Sequence, residues 1–222
     1  IKAAVVLAVV RLFGTAEVTP QLAGLVAILP LASIAWGNVA AIRQTSFRRM
    51  IAYSSIAHAG YLFFALLGTA GGRFQAVAFY VLAYGVMNLL AFSALPTGGD
   101  DAARDRIANL KGLYRRQPFA AIVIALAMLS LAGIPPLPGF VAKFLVFRNV
   151  MAAGHTWFAV LGLVGSYLGI YFYLRIIQFM FMSPQGEGDA DERPRRLALG
   201  ATLLCLVPVV LLVIFPGWVL GK

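Results

Sequence analysis

Met128-Leu129-Ser130-Leu131-Ala132-Gly133-Ile134-Pro135-Pro136-Leu137-Pro138-Gly139-Phe140-Val141-Ala142-Lys143-Phe144 is an apolar run with three prolines in four positions and a lysine beyond them. No continuous α-helix passes through it. Each proline removes a backbone donor and clashes with the carbonyl four residues earlier. The carbonyls of Leu131, Ala132 and Ile134 therefore lose their usual partners. The break is expected at Ile134–Gly139, and so includes Pro135, Pro136, Pro138 and Gly139. It opens about 17 residues after Pro118, well inside a bilayer if the run spans one. Irregular backbone at that depth survives only when buried in protein or lining a hydrated cavity. Lys143 follows about one turn into the second half, close enough for its ammonium to reach the freed carbonyls or water held there.

The rest of the chain fits a membrane setting. Its 222 residues are 61% hydrophobic and 12% charged, with a mean hydropathy of +0.88. Soluble domains are about 45–50% apolar and carry charge on about 25–35% of their surface. Judged against the roughly 20 residues that span a bilayer, the apolar runs are Ile1–Phe13, Leu22–Ile42, Phe47–Leu67, Phe74–Leu95, Phe119–Met151 with its interruption, Trp157–Met182 and Leu197–Val219. The expected fold is all-α, a polytopic transmembrane helix bundle of about seven membrane helices, one of them broken, in a single transmembrane domain over residues 1–222. The chain opens within a helical run without Met, which reads as a fragment whose earlier residues are missing.

The net charge of +10 does not imply nucleic acid, because no basic face runs along an element. The cations gather in loops. Arg43–Arg49, Asp100–Arg116 and Ser183–Arg196 fall on one side if every run crosses once. They hold about 11 Lys and Arg, against about four (Arg11, Arg73, Arg148 and Lys222) on the other. The positive-inside rule puts the rich side in the cytoplasm and the C-terminus outside.

No acidic residue lies inside an apolar run. Intramembrane ionisable groups are costly and default to functional hypotheses. Lys143 is the strongest. A buried lysine can exchange a proton near neutral pH, which an arginine cannot; alternatively it snorkels, or only plugs the helix break. His58 lies about 13 Å below the Arg49 interface, with Ser54, Ser55 and Tyr61 on its helix face. It suits a proton relay, or it is a neutral histidine satisfied by Ser54 and packed between helices. Lys2 is of undetermined depth, with snorkelling the simpler reading. Tyr84 and Asn88, four apart, hold water or join two helices. Tyr167, Tyr171 and Tyr173 read as packing or interfacial aromatics without chemistry. Cys205 is the single cysteine. No phosphate loop, cysteine pair or metal-ligand spacing is present, so the expectation is no metal and no nicotinamide, flavin or iron–sulfur site on this chain.

Gly37-Asn38-Val39-Ala40-Ala41-Ile42-Arg43-Gln44-Thr45-Ser46-Phe47-Arg48-Arg49-Met50-Ile51-Ala52-Tyr53-Ser54-Ser55-Ile56-Ala57-His58-Ala59-Gly60-Tyr61 resembles the antiporter-like subunits of respiratory complex I. So do Met128–Pro136 with Gly139–Phe144, and Gly165-Ser166-Tyr167 through Arg175. The likeness covers nearly the whole chain and is closest to the subunit N branch. It implies a fourteen-helix core of two inverted repeats, with this chain as helices eight to fourteen. It implies that Lys2 is the lysine of the eighth helix, His58 a relay residue of the tenth, and Lys143 the terminal lysine of the broken twelfth helix, facing the exit half-channel. Larger relatives carry a basic residue near Tyr84–Asn88, absent here. The uptake half, with its glutamate–lysine pair, would lie upstream.

The implied function is proton translocation through a lysine, histidine and water relay, coupled to quinone reduction elsewhere in an NADH:quinone oxidoreductase. NADH, flavin, iron–sulfur clusters and quinone would be bound by other subunits. The implied partners are neighbouring membrane subunits, including antiporter-like ones, and the lipid of a bacterial inner membrane; nucleic acid is not among them. Two other readings stay open: a subunit of a cation/proton antiporter or membrane-bound hydrogenase, and a helical scaffold of the membrane arm that moves no protons.

Overall fold

The structure, a computed structural model, describes residues 2–12, 19–96, 105–184 and 196–214. The helices are α1 (Lys2–Leu12), α2 (Pro20–Ile42), α3 (Phe47–Phe64), α4 (Ala70–Ser93), the single turn α5 (Leu113–Arg116), α6 (Pro118–Ala132), α7 (Pro138–Ala152), α8 (Thr156–Met182) and α9 (Arg196–Ile214). Among the described residues there is no strand, only one isolated bridge between Ser46 and Arg106. Among the described residues, four segments are long and apolar enough to cross a membrane alone: Gln21–Ile42, Phe47–Leu67, Ala70–Ser93 and Thr156–Met182. At 1.5 Å per residue, α6 and α7 each rise about 22 Å, so neither half spans the roughly 30 Å hydrocarbon core alone.

α2 and α3 form a tight antiparallel hairpin. Gly37 lies against the backbone of Tyr53 and Ala57, and Gly60 against the Pro30 carbonyl and Ile34. Small residues let membrane helices approach this closely where lipid offers no hydrophobic drive. The buried stripe of α8 includes Gly162, Ser166, Gly169, Tyr173, Ile176 and Met180, alternating four and three residues apart. Trp157, Leu161, Val164, Tyr167 and Tyr171 point outward on its opposite side. That outer face is exposed and largely apolar.

Two ends are distinct. At one, the loop before α5 is stitched to the start of α3. Phe47 donates its N–H to the Asp105 carbonyl at 2.7 Å and Ile107 to the Thr45 carbonyl at 2.9 Å. The Asp105 carboxylate pairs with the Ser46 hydroxyl and accepts from the Arg48 N–H at 2.8 Å, a favourable position for an anion at a helix N-terminus. Gly112 donates to the Phe179 carbonyl near the end of α8 at 3.0 Å. Arg175 of α8 donates to the Ile42 carbonyl at 3.0 Å. The basic loops around residues 43–49 and 105–116 therefore share the end at which α8 finishes. At the opposite end Thr69 and Asn149 tie the start of α4 to α7.

The broken helix departs from the expected boundaries. α6 stops at Ala132, before any proline. Gly133 takes φ +87°, and the N–H groups of Ile134 and Gly133 return to the carbonyls of Leu129 and Ser130 at 3.1 and 2.9 Å. This is a left-handed glycine cap that satisfies the last carbonyls of the helix. Pro138 and Gly139 are not part of the interruption: Pro138 is the first residue of α7, where its fixed φ and missing N–H cost nothing. The gap is residues 133–137.

Arg73 is a second correction. Assigned by sequence to a loop, it sits in the first turn of α4, only 1% exposed, and donates to the Gly68 carbonyl at 2.9 Å.

Candidate functional site

Lys143 projects from α7 back across the gap. Its Nζ donates to the Ala132 carbonyl at 2.9 Å and to the Ser166 hydroxyl at 2.9 Å. The Ala132 carbonyl is one of those that the prolines were expected to free. The Nζ also lies 5.3 Å from the centre of the Tyr61 ring, within cation–π range. The side chain is buried. An ammonium has three donors; two are taken by protein, and no carboxylate is a partner among the described residues. Beside it a cleft of about 520 Å³ separates the gap and α7 from α8. Lys143, Ser166, Gly133 and Ile134 line it at depth, and Arg148 and Met151 line it towards the end where Thr69 meets Asn149.

The gap has a second tie. Ser130, fully buried on α6, accepts the Gly139 N–H at 3.0 Å. That N–H belongs to the first turn of α7, where no intrahelical acceptor exists. A Cβ on Gly139 would collide with the Ser130 backbone carbonyl, so glycine is needed for the two half-helices to meet.

His58 sits on the far side of Tyr61. Its Nδ1 pairs with the Tyr80 hydroxyl at 2.8 Å and its Nε2 with the Tyr173 hydroxyl at 3.1 Å. A neutral imidazole fills such a site by donating from one nitrogen and accepting at the other. Tyr84 stacks on the imidazole with ring centres 4.5 Å apart, and Tyr61 meets it edge-on at 5.8 Å. Ser54 does not bond His58, as the packing alternative supposed; it pairs with the Tyr173 hydroxyl. A void of about 10 Å³ between His58, Tyr84, Gly139 and Ala142 is near the least that holds one water.

The Tyr61 hydroxyl belongs to the lysine's own polar cluster, with Ser166 and Asn38 as partners. Asn38 also donates to the Gly165 carbonyl at 2.9 Å. Ser166 thus touches both Lys143 and Tyr61. Asn88 donates to the Tyr84 carbonyl of its own helix at 2.7 Å. The side chain of Lys2 lies outside the described residues.

The structure brings Lys143, Tyr61, His58, Ser54 and Tyr84 into one buried cluster and leaves Asn88 bonded back to its own helix. It adds Ser166, Tyr80, Tyr173, Asn38 and Ser130. Tyr173 was read as packing only, yet it joins His58 to Ser54. Two signals pointed to some of these. Asn38 is a lone amide in an apolar run, and Tyr80 precedes Tyr84 by one helical turn on the same face.

Comparisons with known proteins follow the same lines. The family model described as NADH:quinone oxidoreductase/Mrp antiporter, TM, matches residues 1–169. NADH-quinone oxidoreductase subunit N of Pelobacter propionicus is 47% identical over 208 residues, which are 92% of this chain and 42% of the relative. NADH-quinone oxidoreductase subunit N 1 of Solibacter usitatus is 40% identical over 223 residues, 99% of this chain and 46% of the relative. A chain of respiratory complex I from Thermus thermophilus with bound aureothin is similar in structure, with a TM-score of 0.76 and 38% identity over 90% of this chain and 45% of that one. This chain thus spans less than half the length of each.

Proposed function

The chain belongs to the NADH:quinone oxidoreductase/Mrp antiporter membrane family, and from that premise we propose that it is the later half of a proton-translocating subunit of a bacterial NADH:quinone oxidoreductase. It forms a single membrane domain corresponding to helices eight to fourteen of fourteen. It performs no redox chemistry itself. NADH, flavin, iron–sulfur clusters and quinone belong to other subunits, and the energy of quinone reduction reaches this one through the membrane arm. Its partners are the adjoining membrane subunits, antiporter-like ones among them. The basic loops face the cytoplasm, the C-terminus lies outside, and the membrane is the inner one.

One observation carries the reading. An amine is held in a helix break by a carbonyl and a hydroxyl, with no carboxylate beside it among the described residues and a cleft beside it that reaches Arg148 and Met151. An ammonium so placed has acceptors for its charged form and a route for the proton it loses. A permanent ion pair would hold that proton too firmly, because breaking a buried pair leaves an uncompensated charge. Protons arrive from upstream groups by way of Lys2 and the His58–tyrosine cluster, cross by water past Tyr61 to Lys143, and leave through the cleft. His58 cannot hand over directly, since both its nitrogens face tyrosine hydroxyls. The 47% identity to a subunit N favours this assignment over an antiporter or hydrogenase subunit.

Lys143→Ala in the assembled complex is expected to lower coupled quinone reductase activity and proton pumping by roughly tenfold or more, the scale of a lost proton-transfer group, with the complex still assembled. Full pumping by that variant would refute the assignment.

A further inference from the structure

Among the described residues, the cleft beside Lys143 is lined by two cations and no anion. Its lining includes Lys143 at depth and Arg148 towards its mouth, with Phe140, Phe144, Met151 and Leu163 among the apolar walls. Arg148 lies five residues beyond Lys143 on α7, about 7.5 Å further along the axis. It is exposed and has no hydrogen-bond or ion-pair partner among the described residues. Arg73 is buried near the same end, against the Gly68 carbonyl. Among the described residues the sole carboxylate is Asp105, at the opposite end of the bundle.

We propose that Arg148 is a barrier residue of this cleft, whose fixed charge keeps that end positive and opposes the entry of cations from outside, Na⁺ and hydronium alike. The proposal rests on the exit reading of Lys143 given above. A pore selects by the dipoles and charges that line it, and a lining arginine is one of the barriers that hold back protons and other cations. A metal cation entering here would meet a guanidinium first and an ammonium next. It would find apolar walls in place of the six or so oxygens that a hard cation needs once it sheds water. A proton carries the same charge and meets the same field, but it passes along water without shedding a shell, so the barrier it faces is lower than that of a metal cation. Low-dielectric walls strengthen the field, since charge in an apolar cleft is screened less than at an open surface. An arginine that merely snorkels to the headgroups would have no such effect on ions, so the two roles separate by experiment.

The test uses the complete complex with its full-length subunit, reconstituted in proteoliposomes. Radiolabelled Na⁺ entry and passive proton backflow are measured under an imposed gradient without NADH, and the proton-to-electron ratio is measured against a membrane potential. Arg148→Glu should raise Na⁺ entry roughly tenfold or more, the scale on which charged clefts concentrate ions, and lower the ratio under load. Arg148→Gln should fall between it and the unaltered protein, and Arg148→Lys should remain tight. Tight vesicles with both Arg148→Glu and Arg148→Gln would overturn the proposal. Lys143→Ala run in parallel separates the two claims. Undiminished pumping there overturns the exit reading itself; lost pumping there, with Arg148→Glu tight, overturns the role of Arg148 alone.

Discussion

Both nitrogens of His58 end on tyrosine hydroxyls, and one of those hydroxyls also serves Ser54. Removing the Tyr173 oxygen therefore strands two polar groups inside the bundle. Tyr173→Phe is expected to cost about 1–3 kcal/mol, the price of an unsatisfied buried group, seen as a lower thermal midpoint of the assembled complex. An unchanged midpoint would mean that water replaces the hydroxyl. Lys143 and His58 were legible in the sequence because an ionisable residue inside an apolar run has no cheap explanation. Tyr80, Tyr173 and Ser166 were not. A hydroxyl is ordinary in a membrane helix, and its role depends on which residue meets it from another helix. Periodicity tells which face a residue occupies but not what stands opposite.

At the scale of the element, the break is held by two ties of different kinds. Ser130 accepts the Gly139 N–H, and Lys143 itself caps the Ala132 carbonyl. Gly139→Ala would press its Cβ into the Ser130 backbone. It is expected to cost about 1–3 kcal/mol, as overpacking does, and to slow pumping because the half-helix bearing Lys143 must shift. Gly133→Ala, which forces a side chain onto φ +87° and brings its Cβ to 3.0 Å from the Lys143 side chain, should cost about 1–2 kcal/mol and disturb pumping at the lysine directly. Assembled fraction and pumping rate measured on both variants check this; pumping unchanged in either assembled variant would contradict it. The prolines made the break legible and also misplaced it. A helix can end at a left-handed glycine before a proline is reached, and a proline can begin the next one.

Across the described residues, the basic loops at 43–49 and 105–116 gather at one end, and the cleft beside Lys143 reaches Arg148 and Met151 towards the other. The seven apolar runs foresaw an all-helical bundle because hydropathy and length are properties of the chain alone. Arg73 escaped that reading, since a buried arginine looks in sequence like the loop residue beside it. Reporter fusions at residues 43–49 should report a cytoplasmic location and fusions after Ala152 an external one; the opposite pattern would reverse the direction of transport. The central claim is that the Lys143 amine gives up its proton. Lys143→Arg keeps a cation at this site but one that does not release its proton, so the proton-to-electron ratio of that variant in proteoliposomes is the most direct measurement. A ratio well below that of the unaltered complex is the expected result, and an unchanged ratio would contradict the account.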